Sequence, residues 1–405
     1  MYGVALEGGG ARGAYQVGVW QALKELGLEY RGVAGTSVGA LNGAMMVQGD
    51  LDQALEIWSE LKLSRILSVD EDLFERARRL NLSSDDASTL LQHFRSIFRD
   101  GVDTAPLRSL LGEFIDESRV RAAGLTFGFV TVSLSNWNPM KLYIEDVPAG
   151  QLIDYLLASA GLPVFKKERI NGKLLMDGGL YDNLPIDLLA ARGFKQIIAV
   201  RLGGFSRTRW QETKEVEVTY IRPCESLGGM LDFSRERAKK NIKLGYFDAL
   251  KVFKGYQGRR YCLEVDQNDD YFFHLLLSIE DEQLAALRDD FGLPEGALSR
   301  RLLLERIIPL VAELLGLNSA ASYGEIVIAV LERAAAKTGL ERFQIYHWDD
   351  FRQQVARRCQ AKGIHLGPLS KRLPRALQGN DLVLRTLREP VLDRFARALI
   401  DSLRK

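Results

Sequence analysis

Two short β-compatible runs near the start of the chain each end in a cluster of glycines and then a helix, and few folds accommodate that order of elements. Tyr2–Glu7 runs into Gly8-Gly9-Gly10-Ala11-Arg12-Gly13, after which Ala14–Leu26 carries Val17, Trp20, Leu23 and Leu26 at helical spacing up to Gly27. Gly32–Gly35 is the second run; it ends in Gly35-Thr36-Ser37-Val38-Gly39, with helical residues from Val38 to Val47 and again from Asp52 to Leu61. Further along, Thr126–Leu134 and Lys141–Ile144 read as strands joined by the turn residues Ser135–Pro139. Ile153–Ala160 reads as a helix, Leu174–Met176 as a short strand entering Asp177-Gly178-Gly179, Pro185–Ala191 as a helix stopped by Gly193, and Gln196–Leu202 as a buried strand. Strands alternating with helices predict an α/β fold with a mostly parallel sheet covered on both faces.

The chain has 405 residues, beyond the roughly 250–300 at which one hydrophobic core stops growing, so two units are expected. Strand signals fade after about Asp266. Helical periodicity then covers Leu302–Leu315, Ile326–Ala335 behind a Ser322-Tyr-Gly-Glu325 capping box, Asp349–Gln360 and Leu382–Leu403. This predicts an α/β domain over 1–265 and a mostly helical unit over 266–405, the latter without a readable role.

A composition of 46% hydrophobic and 26% charged residues excludes disorder as the main state. No apolar run approaches the ~20 residues of a membrane-spanning helix, and the N-terminus has no signal-peptide pattern, so a cytoplasmic protein is expected. Cys224, Cys262 and Cys359 are odd in number and far apart, which offers neither a disulfide framework nor a metal site and fits a reducing compartment. Net charge is +1, and no nucleic-acid partner is expected; yet residues 291–405 hold 19 basic and 12 acidic side chains, and 351–380 hold seven Lys or Arg and no acid. Two readings of 351–380 stay open: a solvated or oligomer-forming helical face, and peripheral contact with an anionic membrane, to which Val355 and Leu366 would add apolar contact.

The ends of strands in an open α/β sheet are where ligands bind. Gly8, Gly10 and Gly13 satisfy GxGxxG, so a nucleotide-binding oxidoreductase is one reading, but the acid that should follow the second strand is replaced by Gly35-Thr36-Ser37. In GxSxG, small flanking residues let a serine project from a sharp strand-to-helix turn, and Gly35 and Gly39 supply that room around Ser37. The bland alternative is a tight turn with Ser37 capping the helix. Three consecutive glycines leave backbone N–H groups open at a helix start, and Gly9, Gly10 and Ala11 are the candidate donors to an oxyanion. Arg12 either fixes the loop or attracts a phosphate. None of His93, His274, His347 and His365 follows a strand at a glycine turn, whereas Asp177 does; Asp154, Asp182 and Asp187 read as capping or surface acids.

Taken in order, the GGGxRG loop at Gly8–Gly13, GTSVG at Gly35–Gly39, Ala158-Ser159-Ala160-Gly161-Leu162-Pro163 and the Asp177-Gly178-Gly179 triplet resemble the patatin-like phospholipase family, specifically its bacterial members. The likeness covers about residues 1–205 and fades through 265. It implies a three-layer α/β/α sandwich and a Ser-Asp catalytic pair without histidine: Ser37 as nucleophile, Asp177 as base, and Gly9, Gly10 and Ala11 as the oxyanion loop. It further implies a serine esterase of the phospholipase A or lysophospholipase type, acting on phospholipid or another lipid ester with no cofactor and no metal. A non-catalytic lipid-binding or scaffold protein would keep the same pocket without turnover.

Overall fold

The computed structural model describes residues 1–66, 103–133, 138–161, 169–170, 172–203, 208–290, 299–361 and 388–403. These form two compact units, Met1–Val252 and Phe253–Lys405.

The first unit is built on an eight-stranded sheet whose strands are β1 (Tyr2–Leu6), β2 (Tyr30–Thr36), β3 (Thr126–Ser133), β4 (Asn138–Tyr143), β5 (Arg169–Ile170), β6 (Lys173–Asp177), β7 (Gln196–Val200) and β8 (Glu217–Ile221). Their order is β5-β6-β3-β2-β1-β7-β8, with β4 also paired to β3. The run β3-β2-β1-β7-β8 is parallel throughout, and β4, β5 and β6 join antiparallel. Val4, Ala5, Val33, Ala34, Ile197 and Ile198 are almost wholly buried, as expected for parallel strands covered on both faces.

Helices α1 (Ala14–Glu25), α2 (Val38–Gln48), α3 (Leu51–Glu60), α4 (Ala105–Phe114), α5 (Glu117–Ala122), α6 (Leu152–Ser159), α7 (Ile186–Ala191) and α8 (Arg235–Lys254) surround the sheet. Strand neighbours point to opposite faces, so Val33 against Gly43 of α2 and Ala34 in one cluster with Leu188 and Leu189 of α7 put those helices on opposite sides. That is the expected mostly parallel sheet with helices around it, in a three-layer α/β/α arrangement. The two-residue β5, α8 and β8 escape the sequence reading. In α8 the inward stripe includes Asn241, Gly245 and Asp248, which dilute the apolar period; β8, as long as β1 and β7, is a half-buried edge strand without their continuous apolar run.

Register sets where the loops emerge. Leu6 of β1 lies level with Gly35 of β2 and Val200 of β7, so the glycine loop and the Ser37 turn leave the same edge of the sheet. Thr36 is level with Val130 of β3, and the next β3 residue, Thr131, pairs with Asp177. β6 runs against its neighbour and still delivers its last residue to that edge.

The second unit is mostly helical: α9 (Asp269–Leu277), α10 (Asp281–Asp290), α11 (Ser299–Leu302) leading through a π turn into α12 (Ile308–Leu314), α13 (Tyr323–Thr338), α14 (Trp348–Ala361) and α15 (Arg388–Ser402). The Ser322 capping box forms, with Glu325 N–H donating to Ser322 Oγ at 3.2 Å and Ser322 N–H to Glu325 Oε2 at 2.8 Å. The unit starts at Phe253 rather than 266 because β9 (Cys262–Glu264) pairs in parallel with β10 (Ile345–His347), and Tyr261 and Leu263 belong to its core. Val355 is fully buried in that core, which removes it as a membrane contact, and Arg352 pairs with Asp349. Lys362, Leu366, Lys371, Arg372 and Arg375, like Leu162, Pro163, His93 and His365, lie outside the described residues. No described helix is long and apolar enough to cross a membrane.

Candidate active site

β1 delivers the chain to the glycine loop under tight control. The Glu7 carboxylate is fully buried, accepts the Leu202 N–H and faces Arg201 at 3.5 Å. Gly8 and Asn183 bond reciprocally, the Gly8 N–H to the Asn183 carbonyl and the Asn183 amide to the Gly8 carbonyl, each at 3.0 Å. A Cβ on Gly8 would stand 2.3 Å from Asn183 Oδ1 and 3.1 Å from the Ser37 Cβ, so only glycine lets the loop pass this close.

Of the three expected oxyanion donors, two are open. The described residues offer no acceptor to the N–H groups of Gly9 and Gly10. The Ala11 N–H is already committed, donating at 2.8 Å to the carbonyl of Met230 in the segment before α8. This corrects the three-donor expectation: the missing information was a tertiary contact more than 200 residues away in sequence. Arg12 resolves as an anchor, since its Nε donates at 2.8 Å to the Gly228 carbonyl of the same segment. Gly13 ends the turn and lies against Val38 and Trp58.

At the end of β2, Ser37 has φ 54° and ψ −127°, and it is the only non-glycine among the described residues with positive φ. Such a conformation costs about 1–3 kcal/mol and survives only where the surroundings enforce it. They do so at several points. A Cβ on Gly35 would lie 2.1 Å from the Gly39 carbonyl oxygen, and one on Gly39 would lie 2.4 Å from that of Leu6, so strand, turn and helix meet backbone to backbone. The Ser37 N–H donates to Ser159 Oγ at 3.1 Å, and Thr36 Oγ1 donates to the Asp182 carbonyl at 2.9 Å. The Ser37 side chain makes no capping bond to α2, which removes the capping reading and leaves the hydroxyl free for another partner.

The buried Asp177 carboxylate accepts the Gly179 N–H at 2.7 Å, and the Ser37 side chain is the other group that favours its ionised form. Burial pushes the Asp177 pKa up to about 6, against the opposing pull of those two groups. Gly178 presses on β3, where a Cβ would stand 2.3 Å from the Val130 carbonyl oxygen. A cavity of about 110 Å³ borders Ser37, lined by Leu41, Met45, Trp58, Leu107, Leu111 and Met230 among others. It is apolar throughout apart from Ser37, Asn42 and backbone.

Asp182 is not the surface acid expected. It is fully buried, Lys141 stands 3.7 Å away, and burial, then the neighbouring Asp187 charge, raises its pKa to about 6. Asp187 pairs with the same lysine and Asp154 with Arg108. Ser159, Asn183, Asn42 and Gln16 also escaped the sequence reading as site residues. A signal existed for Asn42, the one amide in the otherwise small and apolar stretch Val38–Val47. His274 and His347 are exposed side chains of the second unit.

The family model described as patatin-like phospholipase matches residues 4–190. Patatin-like phospholipase domain-containing protein 7 of Rattus norvegicus is 26% identical over 208 residues, 51% of this chain and 14% of that protein. Lysophospholipase NTE1 of Mycosarcoma maydis is 28% identical over 207 residues, 51% of this chain and 10% of its own length. An uncharacterized NTE family protein of Mycobacterium tuberculosis is 29% identical over 201 residues, 50% of this chain and 49% of the relative. The aligned stretch is thus about half of this chain and between a tenth and half of theirs. Residues 4–190, which hold the glycine loop, the Ser37 turn and Asp177, are a patatin-like phospholipase domain.

Proposed function

We propose that the chain is a lipid acyl hydrolase in which Ser37 is the nucleophile and Asp177 the general base. The observation that supports this is a strained serine on the lining of an apolar cavity, with a buried carboxylate whose ionisation the serine side chain favours. Ser37 Oγ attacks the ester carbonyl carbon while Asp177 takes its proton. A pKa of about 6 makes Asp177 ionised at neutral pH yet more basic than an ordinary aspartate. The N–H groups of Gly9 and Gly10 receive the negative charge that develops on the carbonyl oxygen. Collapse expels the alcohol, which regains the proton from Asp177, and a water activated by the same carboxylate then releases the fatty acid from Ser37.

The cavity beside Ser37 suits an acyl chain, and the lysophospholipase among the relatives supports a phospholipase A or lysophospholipase type. The chemistry needs no metal and no cofactor. The test is hydrolysis of a panel of phospholipids, lysophospholipids and neutral lipid esters by wild type and Ser37→Ala. Release of fatty acid by wild type alone is expected; equal rates from both proteins would overturn the assignment.

A further inference from the structure

Asn42 lies on α2 five residues after Ser37, 3% exposed, and its amide is engaged on every side. The nitrogen donates to the Gly13 carbonyl at 3.0 Å and to Gln16 Oε1 at 2.8 Å, while the oxygen accepts the Trp58 Nε1–H at 2.9 Å. Gln16, 1% exposed, in turn donates its Nε2 to the Glu7 carbonyl at 2.6 Å. Glu7 and Gly13 are the residues on either side of Gly8–Arg12. One side chain on the nucleophile's own helix therefore grips both ends of the glycine loop, directly at Gly13 and through Gln16 at Glu7.

We infer that Asn42 is a positioning residue that holds the Gly9 and Gly10 N–H groups on the oxyanion and, through Trp58, ties that loop to the wall of the acyl cavity. The inference rests on the proposed acyl hydrolysis. Glycines have the largest backbone freedom of any residue, so a loop of three needs external anchors to keep two donors aimed at one point. Donors of this kind lose most of their effect when displaced by about 1 Å. Asn42 and Trp58 both border the cavity, so the anchor of the loop and the acyl-binding wall are one bonded unit. A buried amide retained in an apolar helix is costly unless every bond is made, and here each is made to an element of the site.

The test compares wild type, Ser37→Ala, Asn42→Ala, Gln16→Met and Trp58→Phe on a soluble short-chain p-nitrophenyl ester. Asn42→Ala and Gln16→Met should lower kcat about 10- to 100-fold with KM changed less than about threefold. Their affinity for a trifluoromethyl ketone, whose serine adduct carries an oxyanion, should fall by the same factor while fatty-acid binding holds. Trp58→Phe, which loses one bond of the set and keeps the apolar wall, should lose less than Asn42→Ala. Hydrogen exchange of the folded proteins reads the loop without catalysis: residues 8–13 should exchange faster in Asn42→Ala than in wild type. A variant that unfolds at lower temperature yet keeps wild-type kcat and ketone affinity would mean a purely structural amide and overturn the inference, as would unchanged exchange at 8–13. If wild type hydrolyses no ester while exchange at 8–13 still rises in Asn42→Ala, the hydrolase reading falls and the loop anchor stands.

Discussion

The Ser37 N–H donates to the Oγ of Ser159, and that same hydroxyl passes its own hydrogen to the Val130 carbonyl at 2.7 Å. Ser159 closes α6, so a helix 122 residues downstream pins the backbone of the strained turn to β3. Ser159→Ala strips a buried N–H and a buried carbonyl of their partner, at a cost of about 1–3 kcal/mol. Thermal unfolding should shift down by several degrees, and ester turnover should fall with it. Unchanged stability and turnover would show that the turn holds itself.

The φ of 54° at Ser37 makes two inactive variants behave differently. Ser37→Ala keeps the conformational penalty, whereas Ser37→Gly relieves it and gives back part through the greater freedom of the unfolded chain. Neither should hydrolyse ester or react with a fluorophosphonate probe. In denaturant unfolding the glycine variant should be the more stable of the two, by about 1 kcal/mol.

Asp177 should write its pKa of about 6 into both activity and stability. The base must be ionised, so kcat/KM should rise with pH and level off above about 7. For stability the sign is the reverse. The folded-state pKa lies above the model-peptide value of 3.8, so the folded chain favours the protonated form; the benefit is full below 3.8 and lost as pH rises through about 6. Asp177→Asn, neutral and similar in shape, should cost at least ~10² in turnover and yet match wild type near pH 4. By pH 8 it should be more stable by up to ~3 kcal/mol. Asp182 titrates in the same range but is present in both proteins, so the difference isolates Asp177. An Asp177→Asn variant less stable than wild type at pH 8 would contradict this account.

Leu111 of α4 is buried and borders the cavity at Ser37. Leu111→Trp should fill part of that space. Turnover of esters with long acyl chains should drop at least about tenfold while acetyl and butyryl esters are spared, since each buried methylene carries about 0.8 kcal/mol. A uniform loss across chain lengths would place the acyl chain elsewhere.

The parts of this domain that were legible in the sequence are those encoded over a few neighbouring residues. Gly8–Gly13 and Gly35–Gly39 mark strand-to-helix turns because only residues without a side chain allow backbones to approach to contact, and the alternation of short apolar runs with helical stretches announced a sheet covered on both faces. The resemblance to a family rested on the same local patterns. The stretch from Phe253 to the expected boundary at 265 groups with the second unit through β9, which declares itself only by pairing with β10, some 80 residues later.

Ser37 and Asp177 were each visible as a residue at a glycine turn, but their arrival at the same edge of the sheet depends on the register of an antiparallel strand, with Asp177 opposite Thr131 one step beyond the level of Thr36. Asn42 stood out only as a lone amide in an apolar stretch and Ser159 only as part of a motif, and neither they nor Gln16 declared a role, because the importance of a buried amide or hydroxyl lies in which groups it satisfies. Ala11 shows the converse. Nothing in Gly8–Gly13 distinguishes its N–H from those of Gly9 and Gly10 until Met230 comes to accept it. Local chemistry written in order along the chain determined which turns and helices form and which groups they can offer. Long-range pairing, where a hydrogen bond spends one donor and leaves its neighbour open, decided which of those groups remain for the substrate.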